Sequence, residues 1–141
     1  MSLEENKAFC RRWIEAMDEG NTAIIDESFA NNGVLHLPGG LDVTGPEALK
    51  AHLAKGNSDF PEFQHVIEDM IAEGDKVAAR FINHGIYNGE YAGKDTIGKK
   101  VSFTSTAIYR ICEGKLLELW VDYDALGMLQ QLGMELRPKA E

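Results

Sequence analysis

The residues best suited by type and spacing to move protons lie near the end of the chain, where Asp122 and Asp124 are separated by one residue. In an extended segment this spacing puts both carboxylates on one face about 7 Å apart. Enclosed away from water, two such groups raise each other's pKa and suit general acid/base work. Asp124 has a competing structural role. It stands where a strand pattern gives way to a helical one, so its carboxylate also suits an N-cap that accepts from first-turn amides. His36 is a further candidate, in the short run Val34-Leu-His-Leu-Pro38 that places it opposite Leu35 and Leu37. An imidazole titrates near neutrality and serves either as an acid/base or as a hydrogen-bonded wall residue.

These groups must be positioned by the elements around them. From Leu116 to Tyr123 the chain alternates, with Leu117, Leu119, Val121 and Tyr123 on one face and Leu116, Glu118, Trp120 and Asp122 on the other. From Ala125 the period becomes helical, carried by Leu126, Leu129 and Leu132 and ended by Gly133.

Upstream, Ser2 and Glu5 form a capping box for a helix to Glu19, with Phe9, Trp13 and Met17 on its apolar stripe beside Cys10 and Ile14. Asn21 caps a shorter helix holding Ile24, Ile25 and Phe29, and Asn31-Asn32-Gly33 reads as a turn. A third helix opens at Thr44-Gly-Pro-Glu47, either from a Thr44 capping box or with Pro46 in its first turn. Ala48, Leu49 and Leu53 form its inner face, leaving His52 outside.

After Asp59 the period is two. Glu62 to Ala72 is a strand with Phe63, His65, Ile67 and Ile71 sharing a face; Val77 to about Gly89 and Val101 to Cys112 are the next two. Gly89, Gly93 and Gly98 mark an irregular loop, not a phosphate cradle, since no helix follows it. Helices first and an antiparallel meander after them make an α+β pattern. A twisted sheet wrapped around helices encloses a cone whose open end is a pocket.

The totals exclude several functions. A chain of 141 residues fits one domain spanning 1–141. A net charge of -9, without clustered basic residues, opposes nucleic-acid binding. No apolar run approaches the ~18 residues of a membrane span. The N-terminus lacks a signal-like apolar segment, so a cytoplasmic location is expected. Cys10 and Cys112 have no metal-ligand spacing and read as small buried residues, and no metal site is expected.

An ordered set of motifs spans nearly the whole chain: Phe60-Pro-Glu-Phe63, Ile67-Glu-Asp-Met-Ile-Ala-Glu-Gly-Asp-Lys-Val77, Gly85-Ile-Tyr-Asn-Gly89, Tyr109-Arg110, Gly114-Lys115, Glu118, Trp120, Asp124 and Gln131-Leu-Gly133. Together they resemble the SnoaL-like polyketide cyclases, of the cone-shaped nuclear transport factor 2-like superfamily. The resemblance implies an intramolecular aldol cyclisation or related isomerisation of a small apolar carbonyl compound, without metal or organic cofactor. It also implies a homodimer packed through the outer sheet face, at Trp120 and Ile108.

In that family an Asp on the last strand and a His on its neighbour move the proton; here those positions carry Val121 and Ala107. Ile86 and Tyr87 replace a Thr and His of another family signature. The resemblance then leaves His36, Tyr87 and Asp124 as candidate catalytic groups. It makes the apolar sheet face the inner one, giving a ligand pocket of Trp13, Phe29, His36, Phe63, His65 and Tyr87. Phe103, Ser105, Ala107, Tyr109, Leu119 and Val121 complete it. The alternative is a non-catalytic binder of a small apolar or aromatic ligand in the same cavity.

Overall fold

The first helix fixes the geometry of everything behind it. In the computed structural model, which describes residues 1–89 and 96–140, α1 runs Leu3–Asp18 and is started by the Ser2/Glu5 capping box. Its stripe of Phe9, Cys10, Trp13 and Ile14 is buried against the sheet. At 1.5 Å per residue, its sixteen residues cover about 24 Å of sheet. Helix α2 (Ala23–Ser28) follows; the Asn21 side chain accepts from the Ala23 amide at its start.

Phe29 does not belong to that helix. It opens strand β1 (Phe29–Leu37), which passes straight through Asn31-Asn32-Gly33, so the expected turn is absent and the chain instead shifts register between Phe29 and Val34. Gly33 lies under the Phe29 ring, where a Cβ would come within 2.8 Å of it. The three residues thus form an irregular strand segment over a buried aromatic. A short strand β2 (Leu41–Thr44), not expected from sequence, pairs back on β1. Helix α3 (Pro46–Asp59) starts on Pro46 with Gly45 as its cap at φ +87°, which settles the two alternatives for its start in favour of proline.

The meander follows as β3 (Glu62–Glu73), β4 (Lys76–Tyr87), β5 (Lys99–Cys112) and β6 (Lys115–Tyr123), closed by helix α4 (Ala125–Gln131). The six strands form one curved sheet in the order β2-β1-β6-β5-β4-β3, which does not close; β1 runs parallel to β6 and every other pair is antiparallel. This is the cone-shaped α+β arrangement expected from sequence.

Two bulges shift the expected alternation. Between Ile67 and Asp69 the β3 register slips, so Met70 turns inward and Ile71, placed inside by simple alternation, is 67% exposed. A similar slip between Arg110 and Ile111 brings Leu116 into the core. Cys112, expected buried, is exposed, while Cys10 is buried deeply enough for desolvation to push its thiol pKa up to about 12.

The inner face divides at one level. Where α1 covers it, Phe29, Val77, Phe81, Leu116 and their neighbours pack into the main core, each large side chain contributing about 1.5–3 kcal/mol. Beyond the end of α1, a second cluster of Tyr87, Val101, Phe103, Met128 and Leu132 is held by α4. Between the two clusters the sheet is left uncovered.

Candidate active site

That uncovered region is a cavity of about 370 Å³, at the small end of the range for ligand sites. Met17 and Asp18 enter it from the end of α1, and His52 and Leu53 from α3. The sheet contributes Phe63 and His65 (β3), Asn83 and Tyr87 (β4), Phe103 and Ser105 (β5), and Val121 and Tyr123 (β6). Aromatic rings line it in a continuous series: Phe60 lies 5.1 Å from Tyr87 and 5.4 Å from Phe63, and Phe103 stands 5.9 Å from Phe63 and 5.8 Å from Tyr123. Such walls suit a flat apolar ligand.

Two hydrogen-bonded pairs are among the polar groups that interrupt the wall. Asp18 grips His65 with both carboxylate oxygens, one accepting from the backbone amide at 3.0 Å and the other from ring Nδ1 at 2.5 Å. Both side chains are mostly covered, at 19% and 29% exposure. A carboxylate only accepts, so Nδ1 carries the hydrogen and Nε2 is the basic nitrogen. The ring is further fixed edge-on by Phe63 at 4.9 Å and Phe81 at 5.4 Å. In the second pair, the Asn83 amide donates to Ser105 Oγ at 2.8 Å. His52 also faces the cavity, contrary to its expected outward position; burial lowers its pKa, which favours the neutral ring.

Of the side chains proposed from sequence, the structure brings together Phe63, His65, Tyr87, Phe103, Ser105 and Val121. Trp13, on the inner stripe of α1, and Phe29, Ala107, Tyr109 and Leu119, on the inner side of the sheet, belong to the packed core. They are core residues and do not line the cavity. Tyr109 is buried enough that desolvation pushes its phenol well above its usual pKa.

His36 is on the opposite face of the sheet. It pairs in register with Trp120, stacks on that ring at 5.3 Å, and bonds Asp42 at 2.8 Å and Glu118 at 2.9 Å. The alternation that puts Leu35 inside necessarily sends His36 out. Hydrogen bonds to Glu118 and then Asp42 raise its pKa, and Arg110 completes the cluster from the other side of Glu118. Asp124 is an exposed N-cap whose carboxylate accepts from the Gly127 amide at 2.9 Å. Asp122, also exposed, borders a shallow outer groove with Arg80 and Asp124. The paired-carboxylate arrangement therefore does not face the cavity; Val121 does.

Asp18 and Asn83 were not singled out from sequence, although each carried a signal. Asp18 continues the Cys10-Ile14 row at four-residue spacing, putting an acid on a buried stripe and at the helix end where the macrodipole disfavours it. Asn83 interrupts the inward row of Val77, Ala79 and Phe81. Among the described residues, no group of three or more His, Cys, Asp or Glu side chains is arranged to hold a metal ion. No helix among them is long and apolar enough to cross a membrane.

A curved sheet around helices, with a cavity left where the first helix ends, defines the nuclear transport factor 2-like class. Within it, the sequence model of the SnoaL-like polyketide cyclases matches residues 7–132, and the chain belongs to that family. Solved structures agree. IdmH from Streptomyces antibioticus, a candidate polyketide cyclase, is 25% identical over 92% of this chain and 99% of its own, with a TM-score of 0.82. AclR from Streptomyces galilaeus, a candidate hydroxylase, is 25% identical over 94% and 98%, with a TM-score of 0.81. A candidate polyketide cyclase from Bacillus cereus is 30% identical over 89% and 78%, with a TM-score of 0.72. No curated protein matches the chain.

Proposed function

We propose that this protein is a cofactor-free cyclase or isomerase of a small aromatic or apolar carbonyl compound, with His65 as the proton-transfer group and Asp18 as its positioning residue. The observation that carries this reading is the two-point grip of Asp18 on His65 at the wall of an aromatic-lined cavity. Nε2 takes a proton from the carbon beside the substrate carbonyl, and the C–H electron pair passes into an enolate. In an aldol closure the enolate carbon bonds to a second carbonyl carbon, whose π pair moves to oxygen; the imidazolium then returns its proton to the alkoxide. In an isomerisation the proton returns to a different carbon. Asp18 stabilises the imidazolium between the two steps. This assignment replaces His36 and Asp124, which do not line the cavity, and leaves Tyr87 as a wall group beside Phe60.

Exchange of ketone α-protons in deuterium oxide, followed by NMR, tests the reading without knowledge of the natural substrate. The protein should accelerate exchange in an aryl methyl ketone and His65→Gln should abolish the acceleration. Exchange that survives His65→Gln refutes the assignment.

A non-catalytic binder is the second reading, favoured by Val121 on the cavity wall where the family resemblance calls for an acid. The different reaction class named for AclR shows why the frame alone does not choose between them. A ligand that binds but undergoes neither exchange nor turnover would support the binder. The outer face, with Trp120, Ile108, Ile71 and Val66, is the proposed dimer surface, tested by a gel-filtration mass at micromolar concentration.

A further inference from the structure

Asn83 is an unusual residue for its place in the sheet. It stands on β4, between β3 and β5, is 1% exposed, and forms part of the cavity wall. Its Nδ2 donates to Ser105 Oγ, but Oδ1 is buried and has no hydrogen-bond partner among the described residues. A leucine or valine would serve the fold better, since an unmet buried acceptor is costly. Ser105, 8% exposed and also on the wall, has its oxygen engaged by the amide, so its own hydrogen is available to an occupant. The pair therefore presents one acceptor and one donor side by side.

We infer that Asn83 and Ser105 form the specificity subsite of the cavity and select a hydroxyaryl ketone, whose free hydroxyl donates to Asn83 Oδ1 while its carbonyl accepts from Ser105. The inference rests on the cavity being the ligand site, as proposed above, and adds the ligand's required groups. The register supports it. Asn83 lies directly across from His65, so their Cβ atoms are about 5 Å apart, and the proton-transfer group stands next to the group that reads the hydroxyl. Phe60, Phe63 and Phe103 supply the faces for an aromatic ring. Methylating the hydroxyl removes the donor and leaves Oδ1 unmet, a loss that a pocket without this acceptor would not register.

The experiment compares 3-hydroxyacetophenone with 3-methoxyacetophenone by heteronuclear NMR titration of the intact protein. The hydroxy compound should bind at least about tenfold more tightly and shift the Asn83 side-chain amide resonances. The preference should vanish in Asn83→Leu, where the ether binds at least as well. In Ser105→Ala both ketones should weaken while the preference remains. Equal affinities in the wild type, a preference that persists in Asn83→Leu, or no binding of either ketone up to its solubility limit overturns the inference. If Asn83→Leu does not fold, a hydroxyl preference without movement of the Asn83 resonances overturns it instead. Because the readout is binding, an absence of proton exchange would refute the catalytic reading and leave this result standing.

Discussion

Replacing Asp18 with asparagine separates the two jobs assigned to it. The carboxylate accepts two hydrogen bonds from His65, and charge-assisted bonds of this kind contribute about 1.5–3 kcal/mol each when intact. Asparagine keeps one acceptor oxygen, so one bond survives as a neutral one and the second faces an amide donor. Against that loss, removing a negative charge from the last turn of α1 recovers about 0.3–1 kcal/mol of unfavourable dipole interaction. The net cost is about 2–4 kcal/mol, equivalent to a fall in melting temperature of about 7–14 °C for a chain of this length. The chemical effect should be larger than the structural one. An amide Nδ2 opposite the ring favours hydrogen on Nε2, so the basic nitrogen turns away from the cavity and proton transfer should fall about 10²–10⁴-fold. Nitrogen-15 shifts of His65 report the tautomer directly. Hydrogen on Nε2 in the wild type, or an unchanged tautomer and unchanged exchange rate in Asp18→Asn, refutes the reasoning.

The two perturbed histidines should give opposite pH trends. Bonding to Glu118 and Asp42 raises the pKa of His36, so its stabilisation is full below the ordinary value of 6.5 and is lost as pH rises through the raised folded value. Burial lowers that of His52, so its neutral form favours the fold above 6.5, and this advantage is lost as pH falls through the lowered folded value. Melting temperatures of His36→Gln and His52→Gln relative to wild type across pH 5–9 test both, and parallel trends would contradict the assignments. In Gly85→Ala the new Cβ would lie 2.8 Å from Phe60 Cδ1 and 3.0 Å from Phe63 Cδ2, forcing the rim aromatics aside. The cost should be about 1–3 kcal/mol in urea unfolding, and an unchanged midpoint would show that the rim is loose. Val121→Asp should cost about 1–3 kcal/mol at neutral pH. That loss should shrink toward pH 4 as the carboxyl becomes neutral, whereas a pH-independent loss would mean that residue 121 meets bulk water.

The fold was legible because its signals are local and repeated. The Ser2/Glu5 box, the Phe9-Trp13-Met17 spacing and the alternation along β4 and β5 each specify an element without help from the rest of the chain. The errors fall where a tertiary constraint overrides a local one. Asn31-Asn32-Gly33 has turn chemistry but is held extended between Phe29 and the β6 pairing. The bulge beyond Ile67 exchanges the expected roles of Met70 and Ile71. Much of the irregular loop expected around Gly93 falls outside the described residues. The site was only partly legible for a different reason. Alternation assigns a side chain to a face, but whether that position is cavity or core depends on how far α1 reaches. Val121 and Leu119 share a face and a chemistry, yet one meets the cavity and the other belongs to the packed core.

The end of α1 therefore decides both where the cavity begins and which polar group it adds to the wall. A base at the position of Val121 would sit on β6, near the middle of the sheet, while His65 is on the edge strand β3. Three strand spacings separate them, roughly 14 Å along the curved surface. A flat ligand held between the Phe63 and Phe103 rings would present different edges to the two positions. If His65 is the proton-transfer group, as proposed, its move from β6 to β3 keeps an acid/base pair within the cavity but changes which carbon of the ligand it reaches. It also makes the last turn of a helix, where a carboxylate is electrostatically disfavoured, the place that must supply the negative charge. That cost has a structural offset in the two N–H groups of His65, which engage both oxygens of Asp18 and couple the end of α1 to the sheet edge that bounds the cavity.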